Sequence, residues 1–217
     1  MFSGTTQIGS TSIDVDGHAL FGRTMGLVAA TAGLFAFGAY LGQNLSSGWS
    51  LAWYGAALLC TFGMSAAVRR SDETSVGLLF GMGITLGLAT GSTLAYYSGV
   101  DPGALWRAAG ATALFMSGFG AAGYATSRDL SALSRALFWA LLALIGFGVV
   151  SIFVQMPAGD LVYSILGLVV FAGLTAIDFQ RLRSTSDLDT APLIASSIFL
   201  DGINILFFFT DIFRGRD

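Results

Sequence analysis

Charged residues along this chain fall in clusters. Between the clusters lie about seven apolar stretches of roughly 17 to 23 residues, each long enough to cross a hydrocarbon core of about 30 Å as a helix. In order, they predict helices over Thr24–Gln43, Trp49–Val68, Ser75–Tyr97, Ala104–Tyr124, Ala136–Val154, Leu161 to about Asp178 with a helical extension to Arg183, and about Ala191 to Thr210. The short alternating segments that mark a transmembrane barrel do not occur. The separators are brief, so helices adjacent in sequence are expected to be antiparallel neighbours in space. The predicted architecture is an all-α integral membrane protein, a seven-transmembrane-helix bundle over residues 24–211. Residues 1–23 read as a polar, mobile cytoplasmic tail without the apolar core of a cleavable signal peptide. Residues 212–217 read as a short charged tail.

Composition agrees: 54% of residues are apolar and 11% charged, where a soluble domain carries about a quarter charged. Mean hydropathy is +0.75. All ten cations are arginines, and their placement suggests an orientation. With the N-terminus cytoplasmic, seven of them (Arg23, Arg69, Arg70, Arg128, Arg135, Arg181, Arg183) lie on the cytoplasmic side and three (Arg107, Arg214, Arg216) on the other. By the positive-inside rule this favours N-in and C-out. Six spans with a re-entrant last segment would instead put both ends in the cytoplasm.

Small and polar residues within the spans carry the remaining information. Gly83, Gly87 and Gly91 recur every four residues, with Gly77 and Gly81 as a second pair, and such a strip lets another helix backbone approach closely. On the seventh span Ser197, Asp201 and Asn204 fall at i, i+4 and i+7 and form one polar stripe. On the sixth, Thr175 and Asp178 share a face. Asp201 stands near the middle of its span, and an ionisable group there is costly enough to be a functional-site hypothesis by default. Because these two spans are consecutive and antiparallel, Asp178 and Asp201 can approach one another.

Each acid also has an ordinary structural reading. Asp178 can pair with Arg181 near the helix end, and Asp201 can hydrogen-bond Asn204 or Ser197 to fix helix packing. Asp211 reads as a solvated boundary residue. If the two acids do meet, both cannot stay ionised cheaply in a desolvated pocket, so a proton or a cation must compensate. Calcium prefers about six to eight oxygen ligands. Two carboxylates with Asn204, Ser197, carbonyls and water would make a partial, exchanging shell for which protons and calcium compete.

At these residues the chain resembles the Bax inhibitor-1, or transmembrane Bax inhibitor motif, family, and in particular its bacterial members. Asp178-Phe179-Gln180 looks like the family's Asp-x-Gln element, and Leu200-Asp201-Gly202-Ile203-Asn204 is similar to its Leu-Asp-x-Ile-Asn element. The resemblance implies a seven-helix fold with the last helix central and a pH-sensitive calcium leak controlled by an aspartate pair, here Asp178 and Asp201. It also implies a latch arginine near the end of the second span, Arg69 or Arg70, and a link to regulation of a membrane-bound protease. Two positions depart from the family's habits: Ile177 replaces an aromatic residue before the first aspartate, and the second span contains no carboxylate.

Inventory weakens other seven-span functions. A retinal protein needs a Schiff-base lysine, and the chain has none. A Ser-His intramembrane protease needs an imidazole at depth, whereas the single histidine, His18, precedes the first predicted span. Cys60 is the only cysteine, so clustered Cys/His metal sites lack ligands. The expectation is therefore a non-enzymatic protein of a bacterial inner membrane, with no tightly bound cofactor and calcium as a transient ion. Its expected partners are the lipid bilayer, calcium, protons and a membrane protease, with no nucleic acid. Thr175, Ser197 and Asn204 are the expected support for the acid pair.

Overall fold

A computed structural model of the protein describes residues 8–68, 71–154, 159–185 and 187–214, with side chains described from residue 17 onward except at 47 and 152. Among the described residues there are seven α-helices and no strand. They are α1 (Ile8–Gly42), α2 (Ser47–Ala67), α3 (Asp72–Val100), α4 (Pro102–Ala125), α5 (Ser131–Phe153), α6 (Gly159–Ser184) and α7 (Ala191–Arg214), with a single 3-10 turn at Leu188–Thr190 before α7. Among the described residues, six stretches are long and apolar enough to cross a membrane: Gly17–Gly42, Gly48–Ala67, Asp72–Val100, Ser131–Ser151, Gly159–Ser184 and Leu188–Arg214. The protein is a multi-span membrane protein. Half of the α7 stretch is buried, against 11 to 39% of the other five, so the last helix is the most enclosed of these six.

Two differences from the expected spans have physical reasons. Helix α1 begins at Ile8 rather than near residue 24, so much of the expected tail is helical. Its inward face runs Leu20, Thr24, Thr31, Phe35 at helical spacing and continues below the apolar run. Helix α4 occupies the fourth expected span but is absent from the strongly apolar set. Its many glycines and alanines, with Arg107, dilute it, although Trp106 and Leu114 on its outer face are 80% and 78% exposed.

Polarity is arranged inside-out relative to a water-soluble protein. Large apolar side chains such as Leu59, Phe62, Phe153 and Val169 point outward, where acyl chains suit them. Thr24, Thr31, Ser75, Thr90, Ser164, Thr175, Asp178 and Asp201 are buried. Most hydroxyls within the helices bond back to their own backbone, for example Thr31 to the Leu27 carbonyl at 2.7 Å and Thr210 to that of Leu206 at 2.7 Å.

The chain divides into two compact units, Met1–Ser92 with Arg181–Ser197, and Thr93–Gln180 with Ile198–Asp217. In the first, α1 and α3 meet backbone to backbone. A Cβ on Gly87 would stand 2.8 Å from the Ala39 amide nitrogen, and one on Gly91 would stand 2.6 Å from the Gly42 carbonyl carbon. The contact is two-sided, since a Cβ on Gly42 would stand 2.8 Å from the Leu88 Cα. The packing role read for Gly83, Gly87 and Gly91 holds, whereas Gly77 faces open space and Gly81 has only an ordinary contact with Cys60 of α2. That second pair points away from α1. Arg23 of α1 ties this unit together by pairing with Asp72 at the start of α3 and donating to the Leu188 carbonyl at 3.2 Å.

In the second unit α6 touches three partners. Gly123 of α4 lies against the Ala176 backbone, a hypothetical Cβ there being 2.6 Å from the Ala176 Cα. Leu137 of α5 fills the space over Gly173 and packs with Val170 and Ile177. Phe208 of α7 fills the space over Gly167. Helix α4 starts abruptly because Asp101 accepts a hydrogen bond from the Ala104 amide at 2.9 Å and Pro102 follows it.

Candidate functional site

The site lies in the second unit, where α6 and α7 run antiparallel. Thr175 and Asp178 are three residues apart on the face of α6 toward α7, and both are buried, Thr175 fully and Asp178 at 8% exposure. Asp201 of α7 is 5% exposed. The Thr175 hydroxyl donates to Asp201 Oδ2 at 3.1 Å, departing from the back-bonding habit of the other hydroxyls. Asp178 lies within electrostatic reach of Asp201. The structure thus brings both acids and Thr175 into one buried neighbourhood.

The other expected members behave differently. Asn204 donates to the Leu200 carbonyl of its own helix at 2.8 Å, so its amide serves the backbone in this conformation. Ser197, half-buried one turn before Asp201 on α7, falls in the first unit. Arg69 and Arg70, the latch candidates, lie outside the described residues. Asp211 is more than a solvated boundary group: Tyr97 Oη donates to it at 3.2 Å, and Arg214 lies 3.8 Å from it. The helix ends bring together groups that spacing within one helix does not reveal.

Neighbours of the two aspartates explain the motifs around them. Phe179 lays its ring on Gly120 of α4, where a Cβ would stand 3.0 Å from it. Gln180 donates its side-chain amide to the Arg128 carbonyl at 2.6 Å and the Thr126 carbonyl at 3.4 Å, anchoring α6 to the α4–α5 turn. On α7, Gly202 makes room for Met116 of α4. These roles are not visible in the motif itself, although a glutamine two residues after a membrane aspartate is a polar group needing a partner. In the same turn, Asp129 is held below the usual carboxylate range by hydrogen bonds from the Ser131 backbone amide at 2.8 Å and from its hydroxyl at 3.1 Å.

Residues 18–217 match the family model described as Inhibitor of apoptosis-promoting Bax1. The chain belongs to the Bax inhibitor-1 family. Among its relatives, an uncharacterized protein of Chlamydia muridarum is 34% identical over 157 residues, covering 70% of this chain and 65% of the relative. The chain therefore aligns with just under two thirds of that relative's length. An uncharacterized membrane protein of Streptococcus pyogenes serotype M1 is 26% identical over 225 residues, covering 95% of this chain and 97% of the relative. The Escherichia coli inner membrane protein YbhL is 34% identical over 104 residues, 43% of this chain and 44% of YbhL.

Proposed function

We propose that this Bax inhibitor-1 family protein is a pH-sensitive cation leak or ion sensor of a bacterial inner membrane, with Asp178 and Asp201 as its ion-responsive pair and calcium as the transported or sensed ion. The observation that carries this reading is the burial of two acids on facing helices, with a threonine hydroxyl on one of them. Such a pair needs a compensating positive charge, and a proton and a divalent cation compete to supply it. Two carboxylates and a hydroxyl fall short of the roughly six to eight oxygens that calcium prefers, so water completes the shell and the ion exchanges. Weak coordination suits passage or sensing better than permanent residence. The family likeness of both aspartate motifs and the inner-membrane label of YbhL support the same reading.

The test is calcium flux into liposomes across a pH series. Wild type is expected to conduct with a pH dependence that disappears in the Asp178→Asn, Asp201→Asn double variant. Equal flux and equal pH response in the two proteins would end the proposal. In a parallel melting experiment, calcium is expected to raise Tm more at neutral than at acidic pH, because it binds the deprotonated pair.

A further inference from the structure

Below the acid pair the α6–α7 interface changes character twice, and the order of the layers suggests how passage is controlled. From Thr175 and Asp201 toward the C-terminal end of α7, the next layer is apolar. Leu144, Phe171, Ile205 and Phe208 form a buried cluster, none more than 6% exposed. The Phe171 and Phe208 ring centroids are 5.7 Å apart, and Tyr163 meets Phe208 edge-on at 5.6 Å. The Phe208 ring occupies the slot left by Gly167, where a Cβ would lie 2.7 Å from Cε1 of the ring. Beyond this layer a cavity of about 490 Å³ between α5, α6 and α7 brings polar groups back, with Ser151, Asp160, Tyr163 and Asp211 set among Ile145, Gly148 and Val149.

The buried acid pair and the acid-bearing cavity are therefore separated by one aromatic layer. On α7 the distance from Asp201 to Asp211 is about 15 Å along the axis, and Phe208 lies within the last third of it. An apolar constriction of this kind blocks hydrated ions by excluding water, and it opens when a side chain turns aside. Within the same stretch of α6, Ser164 is fully buried and, among the described residues, its hydroxyl has no hydrogen-bond partner. A buried hydroxyl without a partner is costly, and water that reaches it removes the cost.

We infer that Phe208, seated on Gly167 and backed by Phe171, is the gate of the cation route between α6 and α7, closing the acid pair off from the Asp160–Asp211 cavity. This rests on the proposed ion role of the pair and adds the element that regulates access to it. A swing of the Phe208 ring off Gly167 connects the acid pair with that cavity, and Gly167 is required because any larger residue denies the ring its closed position.

The experiment measures the seal directly. In a Cys60→Ser background, Thr175→Cys is treated in proteoliposomes with a membrane-impermeant cationic methanethiosulfonate, applied to the face from which Arg214→Cys reacts. With Phe208 present the reaction is expected to be slow. Phe208→Ala should accelerate it by about tenfold or more and raise calcium flux at neutral pH, and Gly167→Val should do the same by displacing the ring. Phe208→Val, a milder change that serves if the alanine variant does not fold, should accelerate labelling about threefold. Labelling that is already fast with Phe208, or unchanged in the folded variants, overturns the gate. Faster labelling with background calcium flux in every protein keeps the gate and removes the leak. Flux that depends on the acids with unchanged labelling keeps the leak and removes the gate.

Discussion

The α1–α3 contact of the first unit and the α6–α7 contact of the second are both made between long apolar helices, yet they are built from opposite materials. The first is mainly backbone against backbone, with Gly38, Gly42, Gly87 and Gly91 set on the facing main chain and Gly83 under Thr31. The second is side chain against side chain: a threonine–aspartate hydrogen bond, then an aromatic cluster, then an acid-bearing cavity. Lipid tails are as apolar as leucine, so close van der Waals approach is what associates helices in a membrane, and the glycine seam does this well. It has no movable parts. The α6–α7 contact accepts the cost of buried polar groups and keeps rotatable side chains, which is what a site that responds to ions requires.

Substitutions can break this contrast at either end. The largest effect on stability is expected from Gly87→Val: the new side chain meets the Phe35 and Ala39 backbones, which cannot yield as a flexible side chain would. A loss of about 1–3 kcal/mol or more is expected, read as a fall in Tm, with the pH profile of any surviving flux unchanged. Thr175→Val should cost less, about 1–3 kcal/mol at most, by leaving Asp201 without its donor. Unlike Gly87→Val, it should move the pH profile of calcium flux, and an unmoved profile would make the α6–α7 contact as purely structural as the α1–α3 seam. Gln180→Ala should cost about 0.5–1.5 kcal/mol and loosen the α4–α5 turn, seen as faster amide exchange near Arg128.

The smallest effect belongs to exposed Asp129. Its depressed carboxyl contributes stability that is present above about pH 4, the ordinary aspartate range, and lost as pH falls through its lower folded value. Asp129→Asn should therefore lower Tm slightly at neutral pH and leave it unchanged in strong acid. A loss that persisted in acid would assign the effect to packing.

Which of these features could be read in advance follows from physical range. The helices were legible because the length of an apolar run is a one-dimensional property, and Asp201 because a carboxylate deep in such a run is conspicuous by itself. The extension of α1 before residue 24 was not legible, since the segment is polar on average and the buried Leu20 stands out only once its neighbours are known. The seam's other half, Gly38 and Gly42, carries the same four-residue spacing but gains meaning only when set against Ile84 and Leu88. Asn204 shares a stripe with Asp201, yet its amide turns to the Leu200 carbonyl. Thr175 instead reaches across to Asp201, and register between helices, absent from any single-helix pattern, decides such choices.

The Gln180 anchor limits how α6 can move. Two carbonyls of the α4–α5 turn hold that amide, so a piston-like slide of α6 by one turn, about 5.4 Å, would break both bonds at once. Torsion about the helix axis, or motion of α7 past a stationary α6, could spare them. Asp178, two residues before the anchor, is thus held at one depth.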